Sequence, residues 1–300
     1  MIPEWLEARQ LTDEAFEAAY ASVPPKGRAL IKTAIASLYA WLEPAGLLSK
    51  RTQAITGQGV SISTLISPRK WAVVHIPAHC SDPALLVGAV LPLLAAGVWP
   101  VSAVLEEKGL HRQGAIPALE LCGVETVYAV PPEMMDPVLR HWMDADAGGP
   151  GIVVCIDHGP APGCGTARAS SGRQLVVNLP RPQKAGIWLK EGEFDLQALS
   201  WMHPGLECSV WMEEERELPP GFRPVWGQWS DFIEQSVDAA WVPGTLMHRA
   251  LNVFSLVLGP GQEPVWIWPW YVPALAGHTH VGIASASELE GKDNEGCCER

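Results

Sequence analysis

The chain has 300 residues, 48% of them hydrophobic and 18% charged, which is enough to bury at least one large core. Its formal charge of −12 repels phosphate backbones and no Lys/Arg run offsets it, so nucleic-acid binding is disfavoured. Since it contains neither a run of about 18 apolar residues nor a signal-peptide pattern, we expect a cytoplasmic protein without a membrane span.

The first third of the chain begins with a helical pattern. Residues 12–43 predict two helices separated by a Pro-Pro-Lys-Gly break, and Thr12 is the expected start of the first one. The polar connector GQGVSIST follows these helices. We therefore predict that residues 1–66 form an N-terminal helical segment.

From residue 71 to 130, short apolar runs alternate with capped helices. Asp82 followed by Pro83 predicts the start of the first of these helices, and Gly97 predicts its end. The predicted strands are WAVVHIP, WPVSAVL and VETVYAV, with GAIPALELCG as the second helix. This spacing predicts a parallel, right-handed strand and helix layer, and GIVVCIDHGPAPGCG predicts a fourth strand that runs into a loop.

A second, less regular set of elements follows. It comprises the strand RQLVVNL, the strand AGIWL, the helix FDLQALSWM and the strand LECSVWM. Residues 213–224 suit a surface connection, and a further helix is expected near residues 229–240. The segment VWIWPWYVP predicts a strand whose tryptophans share one face, either as an aromatic core or subunit contact, which we favour, or as a stacking wall for a flat ligand.

Residues 67–130 resemble histidinol dehydrogenase, and more distantly the aldehyde-dehydrogenase-like superfamily. The resemblance lies in the order and spacing of the elements and in the AGV and ALELCGV phrases. Shorter similarities continue in CIDHGP, VVNLP, LSWMHPG and YVPALAGHTHV. The resemblance implies an α/β fold with Rossmann-like parallel sheet layers flanked by helices, an N-terminal helical segment and a second, smaller α/β layer. The predicted divisions are 1–66 (helical segment), 67–165 (Rossmann-like domain, joined by 240–285), 166–239 (second, smaller α/β domain) and 286–300 (disordered tail).

The same resemblance implies an enzyme that uses zinc, a Glu-His base and two NAD molecules, but the matching positions have changed. The Gln-x-x-His zinc ligands fall on Trp201 and Pro204, with His203 displaced by one residue, and an aspartate ligand falls on Trp270. Indole has no lone pair to give a metal, so this chain is similar to a shortened, degenerate member without the zinc and base motifs. His280 matches the family's substrate-contacting histidine.

Polar residues that follow the predicted strands are the remaining site candidates. The candidate catalytic residues are Cys80, His79 and His280, and the candidate cofactor-binding residues are Pro77, Asp82, Asp157, Gly159 and Gly163. Each has a structural alternative: Cys80 fills an apolar space, and the histidines satisfy nearby carbonyl groups. We predict no metal site, with His203, His278 and His280 as the candidates if one exists.

Three functions remain open at this point. The first is a binding protein for a small molecule or nucleotide, the second is an NAD- or NADP-dependent oxidoreductase of altered chemistry, and the third is a non-catalytic structural or subunit-interaction protein. The expected partners are a small-molecule ligand and, if the family's assembly persists, a second copy in a homodimer.

Overall fold

The computed structural model describes residues 3–42, 50–55, 60–80, 82–109, 114–144, 149–157, 168–170, 174–190 and 193–285. The helices are α1 (Glu4–Glu7), α2 (Asp13–Ser22), α3 (Pro25–Leu42), α4 (Pro83–Ala95), α5 (Ala115–Cys122), α6 (Pro132–Asp144), α7 (Leu196–Met202), α8 (Trp229–Ile233) and α9 (Met247–Ala250). The strands are β1 (Lys50–Ile55), β2 (Val60–Pro68), β3 (Trp71–Ile76), β4 (Val101–Glu106), β5 (Thr126–Val130), β6 (Gly151–Ile156), β7 (Arg168–Ser170), β8 (Gln174–Leu179), β9 (Lys184–Trp188), β10 (Glu207–Trp211), β11 (Phe222–Val225), β12 (Ala239–Trp241), β13 (Val257–Leu258) and β14 (Gly277–Ser285). None of the helices within these ranges is both long and apolar enough to cross a bilayer.

A six-stranded sheet forms the centre of the molecule and confirms the predicted α/β class. Its order is β5-β4-β3-β6-β8-β7, and every neighbouring pair is parallel except β7 with β8. The strands are apolar and buried because helices cover both faces of such a sheet. The predicted parallel strands between residues 71 and 130 are therefore correct.

Helix α4 is the most deeply buried helix that follows a strand of this sheet. It begins at Pro83, whose missing N–H is not needed in the first turn, and Gly97 adopts the left-handed conformation just after its end, as predicted. Residues 83–93 are buried all around the helix, because α3 and α5 pack against it in addition to the sheet. The apolar sequence of α4 is thus explained by burial on every side.

A second sheet has five parallel strands in the order β11-β10-β9-β12-β13. Of the three strands predicted for the second, less regular group of elements, this sheet contains two, β9 and β10. RQLVVNL was expected there, but β8 pairs with β6 in the first sheet. Strand β13 and all but the first residue of β12 come from residues 240–285, the segment expected to join the Rossmann-like domain. Local periodicity predicts a strand but does not specify its neighbours, because pairing depends on contacts that are distant in sequence.

A third, antiparallel sheet has the order β1-β2-β14. Two of its strands lie within the segment that was predicted to be helical up to residue 66, so that prediction is wrong for residues 50–55 and 60–66. Part of the polar connector is itself strand β2, since alternating Ser, Ile and Thr suit a strand that is partly exposed. Residues 240–285 were expected to join the Rossmann-like domain, and β14 within them pairs with β2 in this antiparallel sheet.

The tryptophan-rich segment is not the predicted strand. Residues 265–272 follow an irregular course with a turn at 269–270, since Pro264, Pro269 and Pro273 cannot donate to a strand ladder. Trp266 and Trp268 are buried in the main core, which agrees with the favoured aromatic-core interpretation. The helix expected near residues 229–240 is also shorter, because α8 ends at Ile233.

Candidate functional site

The six-stranded sheet has a topological switch point between β3 and β6. On either side of this point, successive strands of the chain are added toward opposite edges of the sheet. Strands β4 and β5 are added on one side of β3, and β6 and β8 are added on the other. In open α/β sheets the crevice beyond the carboxyl ends of the strands at such a point is the usual ligand site. His79 follows β3 and Asp157 follows β6, so both residues lie at this crevice.

The structure brings His79 and Asp157 together. The Nε2 atom of His79 lies 2.9 Å from Oδ2 of Asp157, a hydrogen-bond and ion-pair distance. Both side chains remain accessible, since 54% of the His79 side chain and 34% of the Asp157 side chain are exposed. The carboxylate can fix the orientation of the imidazole and leave Nδ1 to face a ligand.

The backbone at Asp157 is strained. Its φ angle is 46°, in the left-handed region, and it is the one residue other than glycine with a positive φ in the described part of the chain. This conformation costs a side-chain-bearing residue about 1–3 kcal/mol, although aspartate tolerates it better than most. The N–H of Asp157 donates to the carbonyl oxygen of Leu179 at 2.8 Å, so the end of β8 helps to hold the strained residue.

Glu106, the last residue of β4, adds a third strand end to the site. Its Oε2 accepts a hydrogen bond from the backbone N–H of Ala78 at 3.0 Å. A turn follows, in which the N–H of Cys80 donates to the carbonyl oxygen of Pro77 at 2.9 Å. The loop that carries His79 is therefore fixed at both of its ends.

Asp82 and Arg181 form a second charged pair at the same edge. Nη2 and Nε of Arg181, which follows β8, lie 3.2 and 3.3 Å from Oδ2 of Asp82. The Asp82 side chain is 3% exposed and that of Arg181 is 17% exposed. Arg181 also donates to the carbonyl oxygen of Pro204, and a Cβ at Gly205 would lie 2.6 Å from Arg181 Nη2, so glycine makes room for the guanidinium.

The start of α4 is poorly suited to a phosphate group. Phosphates bind at a helix N-terminus because its free N–H groups attract negative charge. Here the residue before the helix, Asp82, already places a buried carboxylate there, and Pro83 removes one N–H. The residues present do not fit the pyrophosphate of a nicotinamide dinucleotide at this helix.

Cys80 does not suit the predicted nucleophilic role. Its side chain is fully buried in the main hydrophobic core, whereas a nucleophile must be accessible to its substrate. The structure therefore agrees with the structural alternative for this residue. Gly159 and Gly163, the candidate phosphate-binding glycines, lie outside the described residues, as do the rest of residues 158–167 and the tail from residue 286.

His203, the first metal candidate, is a core residue. Its Nε2–H donates to the carbonyl oxygen of Glu263 at 2.9 Å, and its ring contacts Trp241 and Trp266. Burial lowers the pKa of His203 to about 4, so the imidazole is neutral at pH 7.

Trp201 and Trp270, which occupy two other positions that the resemblance assigns to zinc ligands, have no lone pair to give a metal. Trp201 packs against Gly27 and Gly114, at both of which a Cβ would crowd the indole, and Trp270 is half exposed. No cluster of three or more His, Cys, Asp or Glu side chains suited to a metal occurs in the ranges described. Among the described residues, these positions therefore offer no donor set for the zinc that the resemblance implies.

His278 and His280 are neighbours, but they lie on β14 in the antiparallel sheet. Nδ1 of His278 is 3.0 Å from Nε2 of His280, and both side chains are accessible. Because His280 belongs to the antiparallel sheet, the structure does not group it with His79 at the carboxyl edge of the six-stranded sheet.

Sequence analysis missed two members of the site, Glu106 and Arg181. Glu106 is the charged residue that ends a buried strand in AVLEE, and Arg181 is the first charged residue after another buried strand in VVNLPRP. The pairing of β8 with β6 brings Arg181 to this edge, and that pairing could not be inferred from periodicity.

No family model and no curated protein matches the chain. Among solved structures, it is similar to histidinol dehydrogenase from Elizabethkingia anophelis, with 10% identity, a TM-score of 0.56, and 93% of this chain and 77% of that chain covered. It is also similar to a putative aldehyde dehydrogenase from Burkholderia cenocepacia, with 8% identity, a TM-score of 0.50, and coverages of 84% and 78%. The chain thus has the α/β fold of these dehydrogenases, and at such identities the likeness extends to the fold alone.

Proposed function

We propose that this chain is a small-molecule-binding protein that has the histidinol dehydrogenase fold without that enzyme's zinc and base. Its ligand binds at the carboxyl edge of the six-stranded sheet and contacts His79 and Asp157. The observation that supports this most strongly is the 2.9 Å contact between these two side chains at the switch point between β3 and β6.

A role in ligand binding explains the pair better than a role in stability. An exposed polar contact of this kind contributes little to folding, about 0–1 kcal/mol, whereas the left-handed backbone at Asp157 costs at least as much. Strained residues of this kind concentrate at functional sites. The strained backbone at Asp157 holds an accessible carboxylate in place, and contact of that carboxylate with a ligand explains why the strain is kept.

The charges at the edge indicate the chemistry of the ligand. Asp157 and Glu106 present accepting oxygens, while Arg181 is already engaged by Asp82 and Pro204. Hydrogen-bond donors on the ligand therefore suit the site better than phosphate oxygens do. We infer a small, donor-rich molecule, such as an amine or an amino alcohol, in preference to a nucleotide held by its phosphates.

Thermal unfolding with a panel of probes tests this proposal. The probes are small amines, amino alcohols, carboxylates, NAD and NADP, and a ligand that binds only the folded state raises the melting temperature. We expect a donor-rich probe to raise it in the wild type and in His248→Gln, a control at a lone exposed histidine on α9. We expect that shift to be lost in His79→Gln and Asp157→Asn.

The substitution Asp157→Asn is chosen because asparagine tolerates the left-handed conformation as aspartate does, so the charge changes and the backbone is kept. A probe that stabilises the wild type and both variants equally would contradict the proposed site. A wild-type protein that no probe stabilises would also contradict it, and would favour the structural alternative.

A second candidate function is an NAD- or NADP-dependent oxidoreductase that uses His79 as a general base. The observation that favours it is again the carboxylate that orients the imidazole, an arrangement that leaves Nδ1 able to accept a proton. NAD would supply hydride transfer, but its pyrophosphate must then bind away from the start of α4. Formation of reduced nicotinamide with an alcohol probe, abolished by His79→Gln, would support this candidate over simple binding.

A further inference from the structure

The histidine pair on β14 has the geometry of a chelate. His278 and His280 are two residues apart on an extended strand, so their side chains leave the same face of the sheet. Their cross-strand partners on β2 are Ser67 and Leu65, neither of which is charged. The two rings lie side by side, with centroids 4.4 Å apart, on an edge strand where both are accessible to solvent.

The distance between the two nitrogens indicates which coordination geometry the pair would favour. Nδ1 of His278 and Nε2 of His280 are 3.0 Å apart. With metal–nitrogen bonds of about 2.0–2.1 Å, this separation gives a nitrogen–metal–nitrogen angle of about 91–97°, whereas a tetrahedral site would hold the nitrogens about 3.4 Å apart. An angle near 90° suits the tetragonal or octahedral sites of Cu²⁺ and Ni²⁺ better than the tetrahedral sites of Zn²⁺.

We propose that His278 and His280 together bind a Cu²⁺ ion, or a Ni²⁺ ion, at the exposed edge of the antiparallel sheet. Since no third His, Cys, Asp or Glu in the described ranges completes a cluster, water fills the other positions and the ion exchanges readily. This site is separate from the ligand site proposed above, and it depends on neither His79 nor Asp157.

Titration of the full-length, untagged protein with Ni²⁺ and Cu²⁺, followed by calorimetry, tests the proposal. Loss of either histidine turns a two-point chelate into a single contact, so we expect His278→Gln and His280→Gln each to weaken the site about 100-fold. His248→Gln, at a lone exposed histidine, is the matched control and should bind as the wild type does. Because each variant lacks a single histidine and keeps all the thiols, the difference between the pair variants and the His248→Gln control isolates the pair.

Electron paramagnetic resonance of the Cu²⁺ complex gives a second readout. We expect a tetragonal spectrum with hyperfine splitting from two equivalent or nearly equivalent nitrogens, reduced to one in either single variant. Equal Cu²⁺ and Ni²⁺ affinity in the wild type and in the double variant His278→Gln/His280→Gln would overturn the proposal. Binding of Zn²⁺ that is tighter than that of Ni²⁺ would overturn the assigned geometry.

Discussion

Asp82 and Asp157 lie at the same edge of the six-stranded sheet, but their surroundings differ. Asp82 is almost completely buried and is paired with Arg181, whereas Asp157 is one-third exposed and is paired with a half-exposed histidine. A buried carboxylate with a fixed cation contributes to the architecture of the edge. An accessible carboxylate on a strained backbone is available to a ligand.

Substitution of Asp82 by asparagine should destabilise the protein. The change leaves the Arg181 guanidinium partly buried without its counter-charge, and breaking a buried pair in this way costs about 3–5 kcal/mol. Since 17% of the Arg181 side chain is exposed and Pro204 still accepts from it, we expect about 2–3 kcal/mol, measured by denaturant unfolding.

The matched control for this prediction is Glu207→Gln. Glu207 pairs with Arg223 on the second sheet, and both side chains are mostly exposed, so the loss of that pair should change the free energy of unfolding by less than about 1 kcal/mol. Equal effects of Asp82→Asn and Glu207→Gln would show that Asp82 is not part of a buried pair.

His203 should make the stability depend on pH. The folded protein holds the pKa of His203 at about 4, below its usual 6.5, so the unfolded chain binds more protons between these values. Stability is therefore complete above about pH 6.5 and falls as the pH decreases toward 4, by about 3 kcal/mol in total from this group. Unfolding measured from pH 7 to pH 4 should show a shallower fall in His203→Gln than in the wild type. Parallel curves would contradict the burial of a neutral imidazole.

At the scale of elements, α4 and the tryptophan-rich segment are in close contact. A Cβ at Gly88 would lie 2.6 Å from the backbone oxygen of Trp266, and the hydroxyl of Tyr271 donates to the carbonyl oxygen of Ala89 at 3.0 Å. The segment from residue 265 to 271 therefore lies directly on the helix that follows β3. It fixes the outer face of α4, whose start borders the candidate site.

Substitution Gly88→Ala should lower the free energy of unfolding. Alanine favours a helix by about 1 kcal/mol over glycine, but overpacking against a backbone atom that cannot rotate away should cost about 3 kcal/mol, the upper end of the usual range. The net destabilisation expected is about 2 kcal/mol. Gly244→Ala, where nothing lies within 4 Å of the new Cβ, is the control and should leave stability nearly unchanged. A more stable Gly88→Ala protein would contradict the close packing.

Some helices and strands could be predicted from local sequence, and others could not. Strands β3, β4 and β5 and helices α4 and α5 were predictable, because continuous apolar runs and capping residues are local signals. The antiparallel sheet was not, since it joins residues 60–68 to residues 277–285 and such pairing leaves no local trace. His79 and Asp157 could be named as candidates from such local signals, whereas the contribution of Arg181 depended on the pairing of β8 with β6.

At the scale of the whole molecule, the two parallel sheets share one arrangement. In the six-stranded sheet, β3, β4 and β5 follow one another toward one edge, and β6 and β8 lie on the other side of β3. In the five-stranded sheet, β9, β10 and β11 follow one another toward one edge, and β12 and β13 lie on the other side of β9. Each sheet therefore has its own switch point. The six-stranded sheet combines that point with an accessible pair of titratable side chains and a strained residue, and this combination is why we assign the ligand to it.

The most direct test is a crystal structure of the protein with the small molecule that most raises its melting temperature. Our account predicts density in the crevice between His79 and Asp157, with a donor group of the ligand near Oδ1 or Oδ2 of Asp157. Density at the start of α4 that displaces Asp82 from Arg181, or a ligand bound only at the carboxyl edge of the second sheet, would contradict it.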